Sequence, residues 1–205
     1  KLQLQNLKAD IYTTHQVSSV MKSHSEVAAL SDNTSSDTSV IHIDPNIKHQ
    51  KMWGFGAAIT DSCLANMDRL SSDQRKNLMT KMFDPEKGAG LNILRLPIGS
   101  NDFALSGYSL DDTPGNKPDP KLKNFNPDHL QPLIQFANEA KKYNPHLEVM
   151  ITPWSPPAWM KDTKSLNGGQ LQKKYFGAYA DYLIKSIRVL QAHGVAVKQM
   201  SILNE

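Results

Sequence analysis

Residues 91–99 read LNILRLPIG, and this apolar stretch decides the predicted fold. Its length and its Leu and Ile content indicate a strand buried on both faces, which is typical of a parallel sheet. Three further stretches share this character: KMWGFGAAIT at 51–60, LEVMITPW at 147–154 and the shorter KQMSIL at 198–203. We therefore predict four buried strands after residue 50.

Helical patterns lie between these strands. The stretch SSDQRKNLMTKMF at 71–83 carries Ser71 and Gln74 at the spacing of a capping box. A second helix is predicted to start at Asn126 and Pro127, and a third to run over about 173–193. The longer loops mostly follow the strands. This alternation predicts a parallel α/β architecture.

Two closures of such a sheet are possible. A doubly wound sheet usually carries a glycine-rich phosphate loop after its first strand, whereas GFGAAITD at 54–61 contains only G-x-G. A TIM barrel, (β/α)8, places its active site on the loops after the strands and needs about 250 residues. We therefore predict that residues 51–205 are the N-terminal half of a (β/α)8 catalytic barrel, strands 1–4, and that the chain is truncated.

The first fifty residues have a different texture. The stretches ADIYTTHQVSSVMK at 9–22 and SVIHIDP at 39–45 are rich in β-branched residues, and the Ser- and Asp-rich LSDNTSSDTS lies between them. These patterns predict strands joined by a polar loop. Residues 1–10 lack the apolar core of a signal peptide, so any export signal has been removed or never existed.

The composition excludes several classes of protein. A hydrophobic fraction of 39% with 21% charged residues is typical of a folded globular domain. The net charge of +3 is small and no basic run is interleaved with aromatic residues, so nucleic acid is not an expected partner. No apolar run reaches the length of about 20 residues that a membrane span needs. Cys63 is the only cysteine, which we interpret as a packing thiol, and the histidines show no metal-ligand spacing, so we predict neither metal nor cofactor.

The strand ends carry the candidate chemistry, because they converge on one mouth in a barrel. The four ends supply carboxylates, amides, an arginine and indoles: Asp61, Arg95, Asn101, Asp102, Trp154, Trp159, Asn204 and Glu205. Carboxylates and amides bond hydroxyl groups, and Trp faces stack on sugar rings. The set predicts a neutral polyhydroxylated ligand. Of these residues, Asp61 is interpreted mainly as a cap and Trp159 as a packing residue.

Five ordered motifs resemble those of glycoside hydrolase family 30, in particular its glucosylceramidase branch. They are GFGAAITDSCLANM, LRLPIGSNDF, TPWSPPAWMK, LNGGQL and LNE, and they extend from residue 54 to residue 205. The resemblance implies that residues 1–50 supply strands to a β-sandwich side domain. It also implies a secreted or extracytoplasmic protein that acts on a glycoside or glycolipid.

The resemblance assigns roles residue by residue. It implies that Glu205 is the general acid/base and that Asn204 bonds the sugar 2-hydroxyl. Asp102, in the pattern S-x-D-F, is implied to bind hydroxyls on the far side of the same ring, and Trp154 to line the glycone site. Arg95 is implied to orient acidic neighbours from a second layer. The nucleophile, a second Glu, is expected outside this chain, so the 205 residues alone should be inactive.

Three functions remain open from the sequence. The leading one is a retaining β-glycosidase that hydrolyses a β-glucoside, as glucosylceramidases do, with two carboxylates and a double displacement. The second is an endo-β-1,6-glucanase or related polysaccharide hydrolase of the same family. The third is a non-catalytic carbohydrate-binding fragment. A second catalytic Glu elsewhere in the intact protein would exclude the third.

Overall fold

The computed structural model describes residues 8–15, 18–27, 44 and 46–205. The chain divides into two units, residues 1–51 and 52–205. In the first unit, strand β1 (Lys8–His15) pairs antiparallel with β2 (Ser18–Val27), with an irregularity between Thr13 and His15. The predicted strand at 39–45 lies almost wholly outside the described residues, and a β-sandwich side domain stays a prediction.

The second unit contains a four-stranded parallel sheet. Its strands are β3 (Gly56–Ala58), β4 (Ile93–Ile98), β5 (Glu148–Pro153) and β6 (Val197–Met200), and their spatial order is the chain order. A doubly wound sheet reverses its strand order at a switch point, which this sheet does not do. Crossovers between parallel strands are right-handed in nearly all proteins, and between sequential neighbours this hand puts the helices on one face of a sheet. The predicted half-barrel is therefore confirmed.

Four α-helices follow or connect the strands: α1 (Asp61–Met67), α2 (Ser72–Phe83), α3 (Gln131–Tyr143) and α4 (Phe176–Ala192). The capping box at the start of α2 is present, with Ser71 and Gln74 bonding each other's backbone N–H groups. Helix α1 was not predicted as a helix. Its N-cap is Thr60, so the interpretation of Asp61 as the cap is wrong by one residue, and Asp61 lies in the first turn.

Three further boundaries differ from the predictions. Strand β3 is shorter because the side-chain oxygen of Asn92 accepts a hydrogen bond from the Phe55 N–H, ahead of the regular ladder. A 3-10 turn, Pro127–Leu130, precedes α3. Strand β6 ends at Met200, because the Ser201 hydroxyl donates to the Leu203 carbonyl and the chain bends there.

The core lies between the sheet and the helices. Alternate residues of β4 and β5 face it, and Leu94, Leu96, Ile98 and Ile151 are fully buried. Helices α2, α3 and α4 contribute Met79, Phe83, Leu133, Phe136, Ala140, Tyr182 and Leu190 to the same cluster. The other residues of β4 and β5 point to the opposite face, which is the inside of the barrel, because successive side chains of a strand alternate.

Candidate active site

The inner face of the sheet becomes polar toward the ends of its strands. Arg95 of β4 lies opposite Met150 of β5, and Thr152 is two residues further along the same face. Arg95 Nε donates to Thr152 Oγ1 at 3.2 Å. The hydroxyl oxygen of Ser201, which follows β6, lies 3.2 Å from the same Thr152 oxygen. Strand register thus brings polar groups from three neighbouring strands together.

Arg95 connects the predicted site residues. Its Nη2 donates to Asn204 Oδ1 at 2.6 Å, and its guanidinium carbon lies 4.7 Å from the centroid of the Trp154 ring. A guanidinium over an indole face is a favourable cation–π arrangement. Because Arg95 holds the amide oxygen of Asn204, the amide NH₂ of Asn204 remains available to donate to a ligand.

Trp154 follows β5 on the inner face and is half-buried. Its indole Nε1 is buried and has no hydrogen-bond partner within the described part of the protein. A buried indole N–H normally finds an acceptor. What the indole offers a ligand is therefore its ring face and not this buried donor.

A cavity of about 420 Å³ lies beside Trp154. Asn204 and Glu205 line it, together with residues of the loop that contains the LNGG motif. Its volume falls within the range of about 300–1,000 Å³ that is usual for small-molecule sites. The cavity therefore brings Trp154, Asn204 and Glu205 together.

The LNGG loop needs glycine where it turns back. Gly169 has a φ of +73°, and a Cβ there would lie 2.3 Å from Thr163 Oγ1 and 2.6 Å from Asp162 Oδ1. Asp162 fixes the turn, since its Oδ1 accepts from the N–H groups of Thr163 and Gln170 at 2.8 Å. The backbone conformation of this turn therefore requires glycine at the second glycine position of LNGGQL.

The segment that carries Glu205 is anchored by backbone and side-chain contacts. Ser201 N–H donates to the Ile151 carbonyl, which extends the ladder by one bond, and Tyr179 Oη of α4 donates to the Ile202 carbonyl at 2.7 Å. Asn204 is half-buried, and Glu205 is exposed. Glu205 is thus held at the edge of the cavity that it helps to line.

Of the three residues predicted to bind the sugar, Trp154 and Asn204 line this cavity and Asp102 does not. It is exposed on the turn after β4 and is not among the residues that line the cavity. Asn101 shapes this turn by accepting from the Phe103 N–H at 2.9 Å. The role of Asp102 in binding therefore stays a prediction.

Several residues near the cavity were missed by the sequence reasoning. Thr152 and Ser201 share the inner face with Arg95, a position that period-two alternation along β5 and β6 could have revealed. Lys161 also lines the cavity, and it gave no signal because a lysine after an aromatic motif is usually a surface residue.

Two carboxyl groups outside the cavity are perturbed by burial. Burial raises the pKa of Asp61, which accepts from Tyr108 Oη at 3.3 Å. Burial also raises the pKa of Asp111 to about 6. Trp159, itself fully buried, donates from Nε1 to Asp111 Oδ2 at 2.9 Å and to its carbonyl at 3.0 Å, which agrees with the interpretation of Trp159 as a packing residue.

No group of three or more His, Cys, Asp or Glu side chains placed to hold a metal ion occurs among residues 46–205. In the described part of the chain, no helix combines the length and the apolar character that crossing a bilayer requires.

Comparisons with known proteins agree with the geometry. Residues 52–205 match the model of the glycosyl hydrolase family 30 TIM-barrel domain. Among curated proteins, "Putative glucosylceramidase 1" of Caenorhabditis elegans is 30% identical over 97% of this chain, and an endo-1,6-beta-D-glucanase of Neurospora crassa is 32% identical over 78%. The chain spans 38% and 34% of the lengths of these two relatives.

Comparison with solved structures also agrees with the observed fold. The endo-β1,6-glucanase BT3312 superimposes with a TM-score of 0.70 at 32% identity, covering 79% of this chain and 37% of that one. SrfJ from Salmonella typhimurium also gives a TM-score of 0.70, at 28% identity, covering 76% and 35% of the two chains. A family model that covers most of the chain, together with relatives and structures of the same kind, establishes the family. The chain belongs to the glycosyl hydrolase family 30 TIM-barrel domains.

Proposed function

We propose that the protein containing this chain is a retaining β-glycosidase that hydrolyses a β-glucoside. The observation that carries the proposal is the cavity in which Glu205, Asn204 and Trp154 meet. It offers a carboxyl group, an amide NH₂ and an aromatic face, which are the groups that a sugar-cleaving site needs. The family and the glucosylceramidase and glucanase relatives support it.

In this proposal Glu205 is the general acid/base. A retaining enzyme uses two carboxyl groups about 5–5.5 Å apart, one as nucleophile and one as proton donor to the leaving oxygen. The donor then removes a proton from the water that cleaves the glycosyl-enzyme. The nucleophile is proposed to be a second Glu outside this chain.

The other residues bind and orient the sugar. The Asn204 NH₂, left free by the Arg95 contact at its amide oxygen, is proposed to donate to the 2-hydroxyl. Trp154 provides a stacking face. Arg95 acts through these two residues, as a positioning group. Asp102 is proposed to bind hydroxyls on the far side of the ring once the rest of the site is assembled.

The leading substrate is a β-glucoside with a lipid or small aglycone, as in glucosylceramide, and the protein would then be secreted or extracytoplasmic. An endo-acting β-1,6-glucanase is the second candidate. It is favoured by the likeness to BT3312 and to the Neurospora crassa glucanase at 32% identity each. Hydrolysis of glucosylceramide compared with a β-1,6-glucan such as pustulan separates the two.

The stereochemistry of the product tests the proposal. We expect the full-length protein to hydrolyse an aryl β-glucoside and to release the β-anomer of glucose first, because two successive inversions retain the configuration. Proton NMR in the first minutes of reaction reads the anomer directly. Initial release of the α-anomer would show an inverting mechanism. If the protein neither bound nor hydrolysed the glucoside, the proposed glycosidase function would be wrong.

A further inference from the structure

Lys161 is a buried cation at the cavity. Only 5% of the surface of Lys161 is accessible to solvent, although the residue lies on a loop, at the end of the motif TPWSPPAWMK. Neither of the ion pairs that the structure shows in residues 46–205 includes it. Its neighbour Asp162 uses Oδ1 to fix the adjacent turn. Burying a lysine outside an ion pair is costly, so such a residue needs a specific reason.

Two hydrogen bonds hold the ammonium group. Lys161 Nζ donates to Ser155 Oγ at 3.1 Å and to the Leu166 carbonyl at 2.9 Å. Ser155 directly follows Trp154, and Leu166 begins the LNGG motif, so the ammonium joins the two walls of the cavity. An ammonium carries three N–H donors, and these contacts account for two.

The surroundings of Lys161 indicate what the third donor would meet. Lys161 lines the cavity of about 420 Å³ together with Glu205, Asn204 and apolar residues that include Leu171 and Leu203. One cation and one carboxylate on the same cavity leave no net charge to select an anion. A neutral ligand needs no net charge in the cavity, and its hydroxyl oxygens can accept a hydrogen bond from the remaining N–H of Lys161.

We propose that Lys161 is a substrate-contacting residue whose remaining N–H donates to an oxygen of a neutral, hydroxylated glycoside on the Glu205 side of the cavity. This inference rests on the proposed glycosidase function and adds a specificity contact to it. Burial lowers the pKa of Lys161, against the opposing effect of the Asp162 carboxylate.

The test compares two variants of the full-length protein. Lys161→Met keeps the aliphatic stem and removes all donors. Ser155→Ala removes one protein acceptor of the same ammonium and leaves the donor that faces the ligand. We measure the Kd of methyl β-D-glucoside by calorimetry, kcat and KM for 4-nitrophenyl β-D-glucoside, and the Tm of each variant.

We expect Lys161→Met to raise the Kd and KM at least about tenfold, since a hydrogen bond to a charged donor is lost. Ser155→Ala should lower the Tm but change the Kd by less than about twofold. If Lys161→Met does not fold, Lys161→Gln replaces it. Glutamine keeps an N–H donor in place of the charge, so this variant should fold and bind with a Kd above those of the wild type and Ser155→Ala.

Two results overturn the inference in different ways. A wild-type protein that binds and hydrolyses the glucosides, with the Kd unchanged in Lys161→Met or changed equally by both variants, shows that Lys161 is only structural. A wild-type protein that neither binds nor hydrolyses them removes the proposed function, and the inference with it.

Discussion

At the scale of single residues, the proposed chemistry depends on Glu205. In full-length protein, Glu205→Gln removes the proton donor and keeps the shape of the side chain. General acid catalysis contributes roughly 10²–10⁴-fold, and much less when the leaving group is already a stable anion. We therefore expect a far larger loss of kcat/KM on an alkyl glucoside than on dinitrophenyl glucoside.

Added azide should accelerate Glu205→Gln on the activated substrate, because azide attacks the glycosyl-enzyme without help from a base. The control is Glu86→Gln, which changes an exposed carboxylate on the turn after α2 and should leave both rates unchanged. Steady-state kinetics with and without azide provide the measurement. An equal loss on both substrates with no azide effect would assign Glu205 another role.

We expect Asp111 to make the stability of the protein depend on pH. Burial, and secondarily the nearby Asp119 and Asp112, raise its pKa to about 6, against the opposing effects of the Trp159 hydrogen bond and of Lys185. The ordinary value is about 3.9, so the folded state binds this proton more tightly than the unfolded chain. Its contribution to stability is complete below about pH 4 and is lost as the pH rises through about 6.

We therefore expect Asp111→Asn, which cannot ionise, to weaken the fall of Tm between about pH 4 and pH 7. Melting curves across this range measure the effect, and Asp181→Asn, at an exposed carboxylate of α4, is the control. A wild-type slope that persists unchanged in Asp111→Asn would place the responsible titration elsewhere.

At the scale of elements, helix α2 shows a boundary that local chemistry decides. Ser71 accepts from the Gln74 N–H at 3.3 Å, and Gln74 accepts from the Ser71 N–H at 2.9 Å. Arg75 then joins this helix to α3, with Nη2 2.7 Å from Glu139 Oε2. The cap fixes where the helix starts, and the ion pair adds a polar contact to the packing of Phe83 against Phe136.

Loss of the cap should have a measurable cost. We expect Ser71→Ala to lower the free energy of unfolding by about 1 kcal/mol, since the Gln74 N–H loses its acceptor. Ser72→Ala, one residue later on the same exposed turn, should change it by less than about 0.5 kcal/mol. Urea denaturation of both variants measures the difference, and equal effects would mean that the capping box contributes nothing specific.

At the scale of the whole molecule, the barrel unit exposes an apolar surface beside its last strand. Phe176, Ile184, Met200 and Ile202 are 54%, 44%, 41% and 66% exposed, and they border a groove of about 530 Å³ between α4 and β6. Strand β6 is also an edge of the sheet as described. Unpaired edges and apolar patches favour association.

We therefore expect the 205-residue chain, prepared by itself, to self-associate at micromolar concentration. Ile184→Glu places a charge in the groove and should shift the chain toward the monomer. Leu105→Glu, at a residue 71% exposed on the loop after β4, adds the same charge outside the groove and should not. Analytical ultracentrifugation measures the mass, and a monomeric wild-type chain would contradict the expectation.

The sequence alone determined the elements whose signals are local. The alternation of buried strands and helices, the capping box at Ser71, and the position of Asn204 and Glu205 after the last strand all follow from short-range periodicity and turn chemistry. The five sequence motifs, which are also short and local, indicated the family. Strand ends were less well predicted, because single side chains such as Asn92 and Ser201 replace ladder bonds with local ones.

Only the tertiary structure decided which side chains share the site. Arg95 and Asn204 are 109 positions apart, and their contact exists because β4, β5 and β6 align in a particular register. The burial of Lys161 and Asp111 likewise depends on loops folding back onto each other. A sequence pattern reflects residues that are close along the chain. Charge, burial and hydrogen bonding at the cavity depend instead on residues that are close in space.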